Sequence, residues 1–283
     1  MIFASLLLAA FPAAAQIPPP KVPATELVRQ TVSNELAATG TSGAYMYQVR
    51  EETPQGTETR VTVETRDWAI SRLILKNDRP LPPTRRQREE ESLRDLLTNR
   101  PRLLKLQADK RDDDARVKRV IQALPKAFLY QNAGAETNSA GHQLALVTFR
   151  PNPAFHPHSI ELRVLQRVEG TMVIDPTVKR FVRVEVRLFA DADFGWGIFD
   201  HISRGGSLAL EQQVVWQDQR AITALALHYT NRRLMLITSR VDSVTKASDF
   251  RRLPEDLTLQ QAFALLLAQD PMTVVAPGSG KTP

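Results

Sequence analysis

The sequence predicts an α+β protein built on a single, strongly curved antiparallel half-barrel of about 11–12 strands, with helices covering its concave face. Three observations lead there. From Ala140 to Val241 the chain is a succession of short apolar/polar alternations broken by turn residues, with almost no stretch that suits a helix. Residues 1–15 have the composition of a secretory leader. The chain of 283 residues contains no cysteine, so a hydrophobic core must supply its stability without disulfides.

The leader begins with MIFASLLLAAFP, an apolar run shorter than the ~20 residues that span a bilayer. Ala13-Ala14-Ala15 ahead of Gln16 puts small residues at both positions of an A-x-A signal, so cleavage is expected after Ala15 and the mature chain is expected in the periplasm or secreted. Residues 16–24, with Ile17-Pro18-Pro19-Pro20, read as a polyproline tether. No later stretch approaches the length of a membrane span, and without cysteine there is no site for a lipid-modified one, so no stable membrane anchor is expected. The absence of cysteine also removes thiolate nucleophiles, Fe–S clusters and Cys-type zinc sites. A net charge of +6 and a pI near 9.8 would suggest nucleic acid in a cytosolic protein. For an exported one they point instead to an anionic envelope surface, or simply to a well-solvated exterior, and no nucleic acid partner is expected.

Residues 25–269 read as one domain, since no Gly/Ser linker interrupts them. Val22 to Ala38 carries Leu27, Val28, Val32, Glu35 and Leu36 at helical spacing, with Thr25 as N-cap, and Gly40 and Gly43 end the helix. Tyr45, Tyr47 and Val49 alternate with Met46, Gln48 and Arg50; Pro54-Gln55-Gly56 turns the chain into TETRVTVET, which makes a hairpin. A third strand runs from Trp68 to Lys76. An insert over residues 84–124 is charged and helical, with RRQREEESLRDLL followed by a second helix that opens at Asp112-Asp113-Asp114. Val117, Val120, Ile121 and Leu124 give that second helix an apolar stripe.

After Pro125 the expected strands are Ala127 to Gln131, Gln143 to Arg150, Ser159 to Gln166, Thr171 to Asp175, Arg180 to Leu188, Phe194 to Ile202, Ser207 to Trp216, Ala221 to Tyr229 and Leu234 to Val241. The turns between them fall at Asn132-Ala133-Gly134, Pro151-Asn152-Pro153, Glu169-Gly170, Arg204-Gly205-Gly206 and Asn231. Period two is plainest in FVRVEVRL, where Val182, Val184, Val186 and Leu188 share one face and Arg183, Glu185 and Arg187 the other. Ile160, Leu162 and Val164 likewise oppose Glu161 and Arg163. A sheet with one apolar and one charged face needs a cover. Thr258-Leu259-Gln260-Gln261 is a capping box that opens a last helix with Leu259, Phe263, Leu266 and Leu267 on its stripe. Residues 270–283 read as a disordered tail.

A flat sheet of about twelve strands curls or splits, which is why a strongly curved one is expected. The order of leader, helix, the YMYQVREE and TETRVTVET hairpin, helical insert and long meander resembles the periplasmic lipoprotein carriers of the LolA/LolB type, half-barrels closed by helices over a hydrophobic cavity. DFGWGIFDHISRGGSLALEQQ with LPEDLTLQQAFALL also resembles a family of secreted bacterial proteins, a likeness that brings no activity with it. The carrier resemblance implies a lipid or acyl chain as ligand. It would be lined by Val182, Val184, Val186, Leu188, Ile160, Leu162 and Val164 from the sheet and by Val117, Val120, Ile121 and Leu124 from the lid helix. The alternative is a ligand-free structural or interaction protein of the cell envelope, in which the same side chains close on each other as a dry core; a cell-wall hydrolase stands third.

No catalytic residue, cofactor or metal is expected. His156-Pro157-His158 with Asp175 lacks a Glu or Cys at ligand spacing. Asp191, Asp193, Asp200 and His201 form the densest acidic group, but carboxylates between strands serve more often to cap turns than as a glycosidase pair. Ser203 and Ser207 lack the strand–turn–helix setting of a nucleophile elbow. The terminal GSGKT has Val275 where a phosphate loop needs its first glycine.

Overall fold

A computed structural model describes residues 22–39, 43–194, 200–233 and 237–269. The leader, most of the tether and the tail lie outside the described residues. The element order is α1 (Ala24–Thr39), β1 (Ala44–Thr53), β2 (Gly56–Glu64), β3 (Ala69–Lys76), β4 (Arg79–Pro80), α2 (Pro83–Thr98), α3 (Arg100–Ala127), β5 (Phe128–Thr137), β6 (Gln143–Pro151), α4 (Ile160–Arg163) with a 3-10 turn (Val164–Arg167), β7 (Val168–Asp175), β8 (Arg180–Leu188), β9 (Ala192–Phe194), β10 (Asp200–Ile202), β11 (Ser207–Trp216), β12 (Gln219–Arg233), β13 (Ile237–Leu253) and α5 (Leu259–Leu267). Every described strand pairing is antiparallel, and eleven strands follow in the order β4-β3-β2-β1-β13-β12-β11-β8-β7-β6-β5, open at both ends, with β9 and β10 attached beside β12. The protein is therefore α+β on one open antiparallel sheet. No described helix is long and apolar enough to cross a membrane.

Several elements depart from the sequence expectation. Ser159 to Gln166 is no strand: it forms α4 and the 3-10 turn, which carry Ile160, Leu162 and Val164. A run of alternating apolar residues this short also satisfies one helical turn, and here the helical turn buries Leu165. Asp112-Asp113-Asp114 opens no helix but lies in the middle of α3, which starts at Asn99; the Asn99 side chain accepts from Arg102 N at 3.1 Å, and a proline follows in the first turn. Asn132 to Gly134 is a bulge within β5, and the turn falls at Asn138, whose Oδ1 accepts from Ala140 N and His142 N. Gly170 is a mid-strand residue of β7, where a Cβ would run into the Glu185 carbonyl oxygen and the Phe149 ring. Asn231 lies inside β12, and β13 continues twelve residues past Val241. The capping box of α5 is present with both of its hydrogen bonds.

Residues directly opposite each other in antiparallel strands share a face, so the register traces the two faces across the sheet. One row runs Val147, Met172, Val184, Leu210, Leu225, Thr245, Glu51 and Glu58. At the β5–β8 end this face carries a core in which Ala145, Val147, Phe149, Met172, Ile174, Phe181 and Leu188 pack with Leu27, Val28 and Val32 of α1 and the end of α3. At the other end the core lies on the opposite face: Met46, Val61, Val63 and Ile70 pack with Leu93 and Leu96 of α2 and Ala262 and Leu266 of α5. Arg72, on that same face, donates to the carbonyls of Leu266 and Leu267 at the C-terminus of α5 (2.9 and 3.1 Å) and to Glu90 of α2 (2.9 Å). A buried cation there satisfies orphan carbonyls and complements the helix dipole. The helices thus divide between the two faces, and α3 joins the divisions. Its Leu103 and Leu106 pack on the second core, and its Val120, Ile121, Ala123 and Leu124 on the first.

Candidate binding cleft

Two adjoining cavities of about 460 and 700 Å³ lie between α3 and the sheet and share Gln219, Arg220, Ala221 and Ile222 at the start of β12. The larger is walled by Tyr45 and Tyr47 of β1, Phe250 of β13, Leu36 of α1, the turn Thr65–Asp67 and the α3 residues Lys110, Arg111, Asp114, Ala115 and Lys118. Period two in β1 turns both tyrosines to this side. Phe250 reaches it through an irregularity in β13 opposite Met46–Gln48, where Asp249 takes the left-handed φ of 56°. The Tyr47 and Phe250 rings stack with centroids 4.9 Å apart.

The polar groups of this wall form a chain. The Tyr47 hydroxyl donates to Glu64 at 2.7 Å; Lys110 Nζ donates to the other Glu64 oxygen at 2.9 Å and to Asp114 at 3.4 Å. Burial pushes the Tyr47 hydroxyl well above the ordinary tyrosine pKa, and the Glu64 charge and hydrogen bond add to it. Burial works against the charge on Lys110, but Glu64 and Asp114 outweigh it and raise its pKa. The Tyr45 hydroxyl hydrogen-bonds the Gln219 side chain.

In the smaller cavity Arg180 meets Glu35 through two parallel bonds of 3.0 and 3.1 Å, and Glu35 also accepts from Phe181 N at 3.0 Å. Arg220 lies 3.5 Å from Asp175, whose other oxygen accepts from Thr177 N and Val178 N at the β7–β8 turn. Asp191 likewise accepts from Arg204 N at 2.7 Å.

Beyond Ile222 the same face of β11 and β12 continues as two apolar rows, Leu210 opposite Leu225 and Leu208 opposite Leu227. All four leucines are half-buried and, among the described residues, stand outside both cores. Val214, Trp216 and Ile222 of the same hairpin are exposed.

The residues expected from the sequence to line a cavity are distributed otherwise. Leu188 is in the first core, and Val184, Val186, Leu162, Val164, Val120, Ile121 and Leu124 pack against it. Ile121 also lines the smaller cavity. Val117 is exposed, Val182 is the extra residue of a bulge that turns Phe181 to the core face, and Ile160 opens α4. The cleft residues that sequence reasoning passed over had a signal. Leu-Ala-Leu occurs at 208–210 and again at 225–227, with leucines at period two beside small residues, and YMYQV puts two tyrosines on one face. No family model, no curated protein and no solved structure matches the chain.

Proposed function

We propose that the chain is an exported binding protein, and no enzyme, that holds the acyl chain of a lipid or lipoprotein in the cleft between α3 and the sheet. In this reading the sheet is a half-barrel whose concave face is the one bearing Val147, Val184, Leu210 and Leu225, with α1 and α3 lying across it. The leader is removed after Ala15 and the protein works in the periplasm or outside the cell. The observation that carries the proposal is the continuity of a 700 Å³ cavity with the leucine rows at 208–210 and 225–227. That volume lies in the range of about 300–1,000 Å³ typical of small-ligand sites, and each methylene removed from water along the leucines would contribute about 0.8 kcal/mol. Of the side chains expected to line the site, Val184 and Val186 extend these rows onto β8, while Val120, Ile121 and Leu124 fix the end of the helix that spans the cleft.

The competing reading, a ligand-free scaffold of the envelope, draws on the packing of those same valines against the first core. A lipophilic fluorescent probe separates the two. The carrier reading expects saturable binding that long-chain acyl compounds displace and that Leu210→Gln with Leu225→Gln weakens at least tenfold, because half-buried positions tolerate an amide without unfolding. Non-saturable binding, or equal affinity of the variant, would leave the scaffold.

A further inference from the structure

We infer that the ligand of this cleft is an anionic amphiphile whose acid group is held by Arg111 and Lys118 of α3, an inference that rests on the acyl-binding reading and adds the charge and orientation of the ligand. Helix α3 packs on the two cores through Leu103 and Leu106 and through Val120 to Leu124; between these contacts Lys110 reaches Glu64, and all residues from Arg111 to Arg119 are exposed. A helix of this composition ordinarily neutralises itself along its length. Five of the seven cations from Arg102 to Arg119 follow that rule: Arg102 pairs with Asp95, Lys105 with Asp109, Lys110 with Glu64 and Asp114, Arg116 with Asp113 and Arg119 with Glu161. The two with no carboxylate partner among the described residues are Arg111 and Lys118, and both line the larger cavity.

The acids on the same wall do not neutralise them. Glu64 and Asp114 are both engaged by Lys110, and the turn Thr65–Asp67 brings one charge of each sign to the same cavity, Arg66 and Asp67. The concavity therefore presents unmatched positive charge along α3 opposite a floor of Tyr45, Tyr47 and Phe250, and apolar rows lead away from it along β11 and β12. A carboxylate, sulfate or phosphate at the α3 side with its tail laid past Ile222 toward Leu210 and Leu225 satisfies both parts at once. A cationic head group would meet like charge there, and a neutral one would leave the two cations as they are.

The test uses three detergents of equal tail length, dodecanoate, dodecyl maltoside and dodecyltrimethylammonium, titrated calorimetrically into the full mature chain below their micelle-forming concentrations and above the carboxylate pKa. Dodecanoate is expected to bind at least tenfold more tightly than the maltoside, to lose that advantage in Arg111→Glu/Lys118→Glu and in high salt, and to be matched by the cationic homologue in that variant. Both substitutions lie on the exposed stretch, and an unchanged thermal unfolding midpoint verifies that the fold is retained. Equal binding of all three by the wild type, or an unchanged dodecanoate preference in the variant, overturns the charge assignment while leaving the acyl-binding reading intact. Absence of binding by any of the three overturns both.

Discussion

Glu35 was legible as an oddity, an acid on the apolar stripe of α1, but its partner was not, because Arg180 is contributed from the start of β8 far along the chain. In the structure Glu35 is 8% exposed and takes three charge-assisted or backbone hydrogen bonds from Arg180 and Phe181. Removing one member of such a pair leaves the other charge buried and unpaired, which costs about 3 kcal/mol or more, whereas exposed pairs contribute little. Glu35→Ala is therefore expected to lower the urea midpoint substantially, and Arg29→Ala, which breaks the exposed pair with Glu26, to leave it in place. Equal midpoints for the two would mean that Arg180 does not reach Glu35. The aromatic floor of the cleft was half legible in the same way: alternation gives the side that Tyr45 and Tyr47 share, and nothing local reveals that Phe250 arrives through a break in β13.

Among the elements, long alternations translated directly into strands, and short or polar ones did not. The part of β13 beyond Val241, with Asp242, Ser243, Ser248 and Asp249, has poor strand propensity, yet β12 pairs with it up to Lys246 and β1 from Val244 onward, and the ladders override composition. Three aspartates in a row suit a helix start through the dipole; inside α3, Asp114 and Asp113 are instead offset by Lys110 and Arg116, which lie four and three residues away. The β8 strand tests register most sharply. Strict alternation puts Val182 and Val184 on one face, but the bulge against Val173–Ile174 leaves Val184 opposite Met172 at the core and takes Val182 out of the row. Val184→Asp, at a half-buried position packed against the first core, is expected to destabilise more than Val182→Asp, by at least about 1 kcal/mol, because its carboxylate meets apolar side chains with no partner. Matching losses in chemical denaturation would restore the unbroken alternation and remove the bulge.

At the scale of the molecule, composition and patterning were enough for an antiparallel α+β chain with one long sheet, but not for the division of its helices. Period two states that a strand has two faces and is silent about which one a distant helix will cover. Here α1 and the end of α3 pack on one face at β5–β8, α2 and α5 pack on the opposite face at β1–β3, and α3 has side chains in contact with both cores. The join leaves β11 and β12 with half-buried leucines beside the cleft, a region that would be an ordinary core if all the helices lay on one side. That join, whose leucines stand outside both cores among the described residues, is the physical basis for the ligand-binding account, and native mass spectrometry of the mature chain purified without detergent tests it most directly. The account predicts a population heavier than the chain by one acyl-bearing molecule, reduced to the bare mass by lipid extraction and restored by adding a long-chain acid. A single bare mass before and after addition of that acid would contradict it.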